Sequence, residues 1–206
     1  MLLHIHPVNP EPRKMKMVND CLLAGGVIIY PTDTVYGLGC DIYNSNSVEK
    51  ICRIKGIDPG KSNLSILCFD LSHLSDFAKP IDTPVYRVMR KALPGPFTFV
   101  LKANSQVPKI FKSKKKTVGI RIPDNIICRQ IVKELGHPIV STSIHDTDKI
   151  VDYITDPLVI YDKYKKLVDI VIDGGFGKNK PSTVIDCSDD SITVLRQGAG
   201  KIEQFL

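Results

Sequence analysis

Short apolar runs of β-branched residues recur along this chain, and several end directly in small polar residues. The run that ends at Ile29 leads into YPTDTVYGLG, residues 30–39, while Val140 leads into STS and Ile172 into DGG. Such runs are typical of buried strands, and open α/β sheets bind ligands beyond their strand ends. Taken singly, each cluster is better explained as a turn, because Ser, Thr, Asp and Gly favour turns. A binding site requires several of them to converge.

Segments with helical periodicity alternate with the apolar runs, which predicts an α/β fold with a large twisted sheet covered by helices. We expect helices over residues 11–24, from an N-cap at Ser47 to Lys55, and over 83–92, 125–135 and 157–166. The predicted strands are residues 2–5, 27–30, 64–69, 97–103, 117–122, 138–143, 168–175, 182–188 and 192–196. Hairpin-like spacings over 99–122 and 184–196 favour a mixed sheet.

Length and composition favour one globular domain over residues 1–206. No apolar run approaches the ~20 residues that span a bilayer, and the N-terminus lacks the pattern of a signal peptide. The six cysteines form no C-x-x-C pair, which argues against zinc and a disulfide framework. We therefore expect free thiols, a cytoplasmic location and no membrane partner. Without coiled-coil heptads, a monomer or a simple homodimer is expected.

Part of the net charge of +6 lies in the segment KIFKSKKKT, which includes Lys112, Lys114, Lys115 and Lys116. A solvated loop is the simpler interpretation, because this net charge is moderate. The alternative is a patch that binds the phosphates of tRNA or double-stranded RNA.

The sequence lacks the common motifs that indicate nucleotide binding, metalloprotease activity or hydrolase activity. Neither G-x-x-x-x-G-K-[ST] nor a G-x-G-x-x-G after a strand occurs, so a nucleotide would not be held by either phosphate loop. The chain also lacks H-E-x-x-H and the G-x-S-x-G elbow. The Gly-rich stretch GGFGKNKPST, residues 174–183, has the spacing of none of these motifs.

Seven motifs instead occur in the order seen in the YrdC-like family, which includes threonylcarbamoyl-AMP synthases. They are GGVIIYPTDTVYGLGCD, KGI, PGPFTFVLKA, TVGIRIPDN, STSIH, PSTVID and VLRQGAG. The resemblance covers roughly residues 10–200, and the termini HIHPVNP and GAGKIEQFL are more similar to the YciO branch. It implies a YrdC/RibB-like α/β fold: a twisted, mixed and largely antiparallel sheet flanked by helices, with a concave basic cavity.

The resemblance implies a threonylcarbamoyl-AMP synthase-like activity. L-Threonine, bicarbonate and ATP would give threonylcarbamoyl-AMP and pyrophosphate, for modification of an adenosine in tRNA. A carbamate oxygen would attack the α-phosphorus of ATP, so nucleophile and target are both anionic. Such a reaction needs cationic and N–H groups around the phosphates, and Mg2+ is expected to accompany ATP. No metal ligands are expected from the chain itself.

Site residues follow by matching motifs. Lys55 and Arg121 are the expected catalytic residues, and Arg121 suits the threonine carboxylate because its guanidinium matches both oxygens. The expected ATP-binding residues are Lys55, Thr117, His145 and Arg196. The expected threonine-binding residues are Thr34, Arg121, Ser143 and Ser182. For Thr117 and Ser182, a locally bonded strand hydroxyl is an equally good interpretation.

Two departures from the synthase pattern matter. Ile57 stands where the synthases carry the arginine of K-G-R, and Ser143-Ile144-His145 replaces S-A-N. Loss of one charged contact to a transition state can cost about 10²-fold in rate, although Lys61 offers a charge nearby. We therefore expect impaired activity. The alternatives are a non-catalytic paralogue that binds tRNA or double-stranded RNA and, with no nucleophile named by the sequence, a phosphatase or nucleotide hydrolase.

Overall fold

The computed structural model describes residues 1–58, 64–108, 116–144, 153–189 and 191–205. Six α-helices occur in these ranges: α1 (Pro12–Leu23), α2 (Ser45–Lys55), α3 (Leu74–Phe77), α4 (Thr83–Ala92), α5 (Ile126–Leu135) and α6 (Pro157–Tyr164). The strands are β1 (Leu2–His4), β2 (Val27–Tyr30), β3 (Gly37–Asp41), β4 (Ser65–Leu67), β5 (Phe97–Lys102), β6 (Thr117–Arg121), β7 (Ile139–Ser143), β8 (Ile170–Asp173), β9 (Thr183–Asp186) and β10 (Thr193–Arg196). A short 3-10 helix, Ile202–Gln204, follows.

All ten strands join one sheet in the order β1-β8-β2-β3-β7-β4-β6-β5-β9-β10. Five of the neighbouring pairs are antiparallel and four are parallel. The predicted mixed sheet flanked by helices is therefore confirmed, as are the antiparallel pairings of β5 with β6 and of β9 with β10.

Helices cover the two faces of this sheet unequally. Helices α2, α4 and α6 bury their apolar sides in one core cluster, against strands that include Leu38, Phe99 and Ile120. On the opposite face, α1 and α5 pack in a second cluster with Tyr30 and Ile139. That second cluster contains no residue of β5, β6, β9 or β10. Half of this face is thus without an apolar helical cover among the described elements.

Small and polar side chains occupy that half of the sheet, which we call the polar face. A Cβ built on Gly119 would lie 3.3 Å from both Ser65 Cβ and Thr98 Cγ2, so these three residues share the face. Arg121 is on the same side, because it lies two residues beyond Gly119 along β6. The register that pairs Phe99 with Ile120 continues to place Thr98 beside Arg121.

The predicted N-cap of α2 is wrong. The helix begins at Ser45 and is capped by Asn44, whose side chain accepts a 3.0 Å hydrogen bond from Ser47 N. The Ser47 hydroxyl instead donates to the carbonyl of Gly25 at 2.6 Å, which ties α2 to the turn before β2. Asn and Ser are comparable caps, so the tertiary contact decided between two nearby candidates.

Strand β3 was missed because glycine is a poor strand residue. Gly37 and Gly39 sit in β3 beneath the Tyr30 ring, and a Cβ on Gly39 would lie 2.5 Å from Val140 O. The close approach of backbone and aromatic ring requires glycine at both positions. The stretch after Ile29 is therefore an antiparallel hairpin, in which Tyr30 pairs with Gly37 across the loop of residues 31–36.

Candidate functional site

The side chain of Arg121 joins the polar face to the loop that follows β2. Its Nη2 donates to Thr34 Oγ1 and to Asp33 Oδ1, both at 3.0 Å. Thr34 is fully buried and Arg121 is 6% exposed. Two of the residues predicted to bind threonine are therefore in direct contact.

Asp33 also contacts Arg121, although the sequence analysis assigned it no role in binding. Its side chain is 7% exposed and forms an ion pair with Arg121. Burial raises the pKa of the Asp33 carboxyl above its usual value, while the charge of Arg121 opposes the rise. Asp33 Oδ2 and Arg121 Nε are both buried without a hydrogen-bond partner among the described residues. Arg121 therefore has a partner already, and any substrate carboxylate would share the guanidinium with Asp33.

Hydrogen bonds fix the loop between β2 and β3. Thr32 Oγ1 donates to the carbonyl of Val35 at 2.7 Å and accepts from Thr34 N at 3.0 Å. The loop after β8 packs on it, with Lys178 N donating to Thr34 O at 2.9 Å and Tyr36 OH to Gly175 O at 2.6 Å. The polar ends of β2 and β8 thus converge, as the sequence predicted.

Lys55 reaches the end of β7 from the last turn of α2. Its Nζ donates to the carbonyl of Ser143 at 2.9 Å, and no carboxylate of the described residues lies within 4 Å of it. Burial lowers the pKa of Lys55 to about 8. Ser143 pairs with Gly37 in β3, and Ile144 N donates to Tyr36 O at 3.2 Å. The ammonium group therefore borders the Thr34 loop.

A third contact pair lies on the β9 side of the polar face. Ser182 Oγ lies 2.9 Å from Thr98 Oγ1, the residue beside Arg121, and both hydroxyls are buried. Arg196 is exposed on β10 and donates to the carbonyl of Ser182 at 2.8 Å. Ser182 thus has a hydroxyl partner that is distant in the chain, not the locally bonded one that the sequence offered as the alternative.

The remaining predicted residues are less informative. Thr117 is the first residue of β6 and pairs with Lys102. Lys116 precedes that strand with a φ of 53° and accepts a hydrogen bond from Ala103 N. The positions predicted at His145, Lys112, Lys114 and Lys115, and the charge offered by Lys61, lie outside the described residues. The RNA-binding patch therefore stays a prediction.

Tyr30 and Ser141 form a buried hydrogen-bonded pair that the sequence did not predict. The Tyr30 hydroxyl donates to Ser141 Oγ at 2.6 Å, and Ser65 Oγ donates to the Ser141 carbonyl at 3.0 Å. These bonds join β2, β7 and β4 beneath the loop that carries Thr34. The only signal in the sequence was the run of hydroxyls after Val140.

Comparison with known proteins identifies the family of this chain. The profile Sua5_yciO_yrdC, described as "Telomere recombination", matches residues 20–198. The chain belongs to the Sua5/YciO/YrdC family. The YrdC-like resemblance seen in the motifs is thereby confirmed.

Relatives from this family align with nearly the whole chain. The uncharacterized protein YciO of Escherichia coli K12 is 40% identical over 204 residues, 98% of each chain. Its crystal structure superposes with a TM-score of 0.92, covering 100% of this chain and 99% of that one. The threonylcarbamoyl-AMP synthase of Marinobacter nauticus is 29% identical and covers 86% of this chain and 93% of its own.

A ligand-bound relative bears on the site. The crystal structure of P. abyssi Sua5 complexed with L-threonine is 26% identical, with a TM-score of 0.87. The match covers 96% of this chain and 57% of Sua5. The family thus contains a protein that binds L-threonine on this fold.

None of the helices in the described ranges is both long and apolar enough to cross a bilayer.

Proposed function

We propose that this protein binds L-threonine, bicarbonate and ATP and forms threonylcarbamoyl-AMP and pyrophosphate, at a rate attenuated by Ile57. The observation that carries the proposal is the contact between Thr34 and Arg121, 3.0 Å apart at the convergence of strand ends. A related protein from P. abyssi binds L-threonine, and a related protein from Marinobacter nauticus is named as the synthase.

The amino acid would bind over the polar face. Arg121 offers a guanidinium fork to the threonine carboxylate, and the fork suits a bidentate contact. The Thr34 hydroxyl is held in place by Thr32, whose Oγ1 is 3.1 Å away, and by Arg121. We assign Ser143 and Ser182 to the borders of the same pocket.

Lys55 would supply the positive charge for ATP. Its only hydrogen bond among the described residues is to the Ser143 carbonyl, and burial removes part of its hydration. A lysine in this state gains from a nearby phosphate, because the phosphate replaces lost solvation and raises the lysine pKa. Opposite charges in a partly buried site also interact more strongly than in water.

Arg196 and Thr117 would complete the nucleotide side. Arg196 is exposed on β10, with one Nη bonded to Ser182 O, so the rest of its guanidinium can contact phosphate or ribose. We expect Mg2+ to bind with ATP, held mainly by phosphate oxygens and water. The described residues contain no cluster of three or more His, Cys, Asp or Glu side chains that would hold a metal ion by themselves.

The carbamate chemistry explains why the site gathers cations. The threonine nitrogen captures CO2, and a carbamate oxygen then displaces pyrophosphate from the α-phosphorus. Because both reactants are anionic, Arg121 and Lys55 would lower their mutual repulsion and hold them in line.

Pyrophosphate release from the full chain with ATP, bicarbonate and L-threonine tests the proposal. We expect a slow, threonine-dependent release that Lys55→Met lowers by about 10²-fold. L-Valine, which has nearly the shape of threonine without its hydroxyl, is the matched substrate control. Release that is equal with and without threonine would overturn the proposal.

Binding provides an independent measurement. ATP and L-threonine should each raise the melting temperature, and together they should raise it by more than the sum. Purely additive shifts would contradict a shared pocket.

A further inference from the structure

A cavity lies beyond the ends of β4 and β6, between α4 and α5. It has a volume of about 420 Å3, within the roughly 300–1,000 Å3 typical of small-molecule sites. Leu93 and Ile122 form part of its apolar floor. Ile122 belongs to the first core cluster, whereas Arg121 points to the polar face. None of the residues proposed above to bind threonine or ATP lines this cavity.

Two arginines from different helices line the cavity. Arg90 lies in the last turn of α4, and Arg129 lies in the first turn of α5. Arg129 is held by Phe69: its guanidinium carbon is 5.0 Å from the ring centroid, and its Nε donates to the Phe69 carbonyl at 3.4 Å. Within the described part of the chain, neither guanidinium has a carboxylate within 4 Å. The cavity therefore presents two guanidinium groups that no carboxylate of the described residues neutralises by direct contact.

Asp70 places one carboxylate at the same cavity. Its Oδ1 accepts hydrogen bonds from the backbone N and the hydroxyl of Ser72. These bonds hold the pKa of Asp70 below its usual value, so the group is ionised at neutral pH. Oδ2 has no hydrogen bond within the described ranges. A ligand that pairs with all three side chains thus needs an anionic group to contact the arginines. It also needs a hydroxyl or another hydrogen-bond donor to contact Asp70.

Tyr86 supplies an aromatic surface. Its side chain lines the cavity and is 41% exposed, so the ring is available for stacking. With the apolar floor, it suits a flat, partly apolar group. Anion, hydroxyl donor and flat ring are the three parts of a nucleotide.

We propose that this cavity binds a nucleoside monophosphate, with its phosphate on Arg90 and Arg129, a ribose hydroxyl on Asp70 and its base against Tyr86. Two guanidinium forks match the three terminal oxygens of a phosphate monoester, whereas one fork suffices for a carboxylate. The proposal does not depend on the threonylcarbamoyl-AMP chemistry.

Calorimetric titration of the full chain with AMP tests this site. Because AMP also suits the ATP pocket, the titration is made in a Lys55→Met background. We expect saturable binding that Arg90→Gln weakens about tenfold or more, the effect of losing one charge-assisted hydrogen bond. Arg87→Gln is the matched control, since Arg87 is exposed on the same helix and lies outside the cavity lining. It should leave the affinity unchanged.

Fragments of the ligand test each part of the assignment. Adenosine lacks the phosphate and ribose 5-phosphate lacks the base, so each should bind at least about tenfold more weakly than AMP. Arg129→Gln should resemble Arg90→Gln, and a thermal melt shows whether the variant remains folded. Binding of AMP that survives both substitutions, or equal binding of AMP and ribose 5-phosphate, would overturn the proposal. Absence of AMP binding up to about 5 mM would overturn it as well.

Discussion

Arg121 Nη2 lies 3.0 Å from Thr34 Oγ1, although the two residues are 87 positions apart in the chain. The contact brings a central strand of the sheet together with the loop after β2. The same nitrogen is 3.0 Å from Asp33 Oδ1, so the site contains a buried acid as well as the arginine. Substitution of Arg121 is therefore expected to affect stability as well as the proposed binding of threonine.

Arg121→Met should destabilise the protein strongly at neutral pH. It leaves the Asp33 carboxylate buried and unpaired, and removal of one partner of a buried ion pair costs about 3–5 kcal/mol. Burial raises the pKa of Asp33 already in the presence of Arg121, and loss of the guanidinium raises it further. A buried acid whose pKa is raised on folding lowers the free energy of unfolding as the pH rises. The stability lost in Arg121→Met should therefore be smaller at acidic pH. Urea denaturation at about pH 7 and pH 4.5 measures this difference.

The double variant Asp33→Asn/Arg121→Met is the control for that experiment. It removes both charges, so its loss of stability should be smaller than that of Arg121→Met and independent of pH over this range. A deficit for Arg121→Met that is the same at both pH values would show that Asp33 is not the cause.

ATP affinity should fall as pH rises through the range in which Lys55 titrates. Burial lowers the pKa of Lys55 to about 8, so in the unliganded protein the ammonium loses its proton above that pH. Bound phosphate favours the protonated form, and the affinity therefore declines above about pH 8 rather than near 10.4. Calorimetry from about pH 7 to pH 9.5 follows the change.

Lys55→Arg separates charge from other effects of pH. Arginine stays protonated throughout this range, so the variant should bind ATP with an affinity that is nearly constant. Lys55→Met should bind weakly at every pH. A wild-type affinity that does not change with pH would place Lys55 away from the phosphates.

Gly39→Ala should damage the hairpin that carries the site loop. The added Cβ would lie 2.5 Å from Val140 O and 2.9 Å from Tyr30 Cε1, and overpacking of this kind costs about 1–3 kcal/mol or more. Gly119→Ala is the matched variant, because its Cβ would meet Ser65 and Thr98 at 3.3 Å. We expect it to lose less stability than Gly39→Ala. Thermal melts compare the two, and an equal loss would contradict the packing argument.

Most strands of the sheet could be predicted, because a buried strand requires a run of apolar residues that is visible in the sequence. Strand β3 could not, since Gly37 and Gly39 carry no strand signal and their role depends on the Tyr30 ring above them. In the same way, α2 is capped at Asn44 because Ser47 is engaged by Gly25 in a tertiary contact.

The sequence named Thr34 and Arg121 as site residues but did not predict which side chains would pair. Motifs named Thr34 and Arg121, and both lie at the convergence of strand ends. Nothing in the sequence indicated that Asp33 would form an ion pair with Arg121, because the two residues are 88 positions apart. Which polar residue pairs with which is decided by sheet order, and sheet order is a property of the whole chain.

Substitution of the lysine run tests the alternative function. Replacement of Lys112, Lys114, Lys115 and Lys116 by Ala should flatten the salt dependence of double-stranded RNA or tRNA binding, since each phosphate contact releases counterions. The matched control replaces four exposed lysines elsewhere in the chain: Lys16, Lys79, Lys91 and Lys166. Absence of RNA binding by the wild-type protein at low salt would remove this alternative.

Ile57→Arg should raise the rate of threonine-dependent pyrophosphate release. Gly56 ends α2 with a φ of 62°, and Ile57 N donates to Cys52 O at 3.0 Å while Gly56 N donates to Arg53 O at 3.1 Å. These are the two bonds of a Schellman motif, in which the residue at position 57 packs an apolar side chain near the helix end. Ile57 is half-buried against the first core cluster, so the departure from K-G-R exchanges a cation near Lys55 for an apolar contact.

An arginine at position 57 can cover part of that apolar surface with its stem while its guanidinium reaches solvent and phosphate. We therefore expect a rate increase of about tenfold or more with a loss of up to about 1 kcal/mol in stability. Ile57→Met, which has length without charge, should change neither quantity much. An equal rate for the Arg and Met variants would show that the missing cation does not limit the proposed reaction.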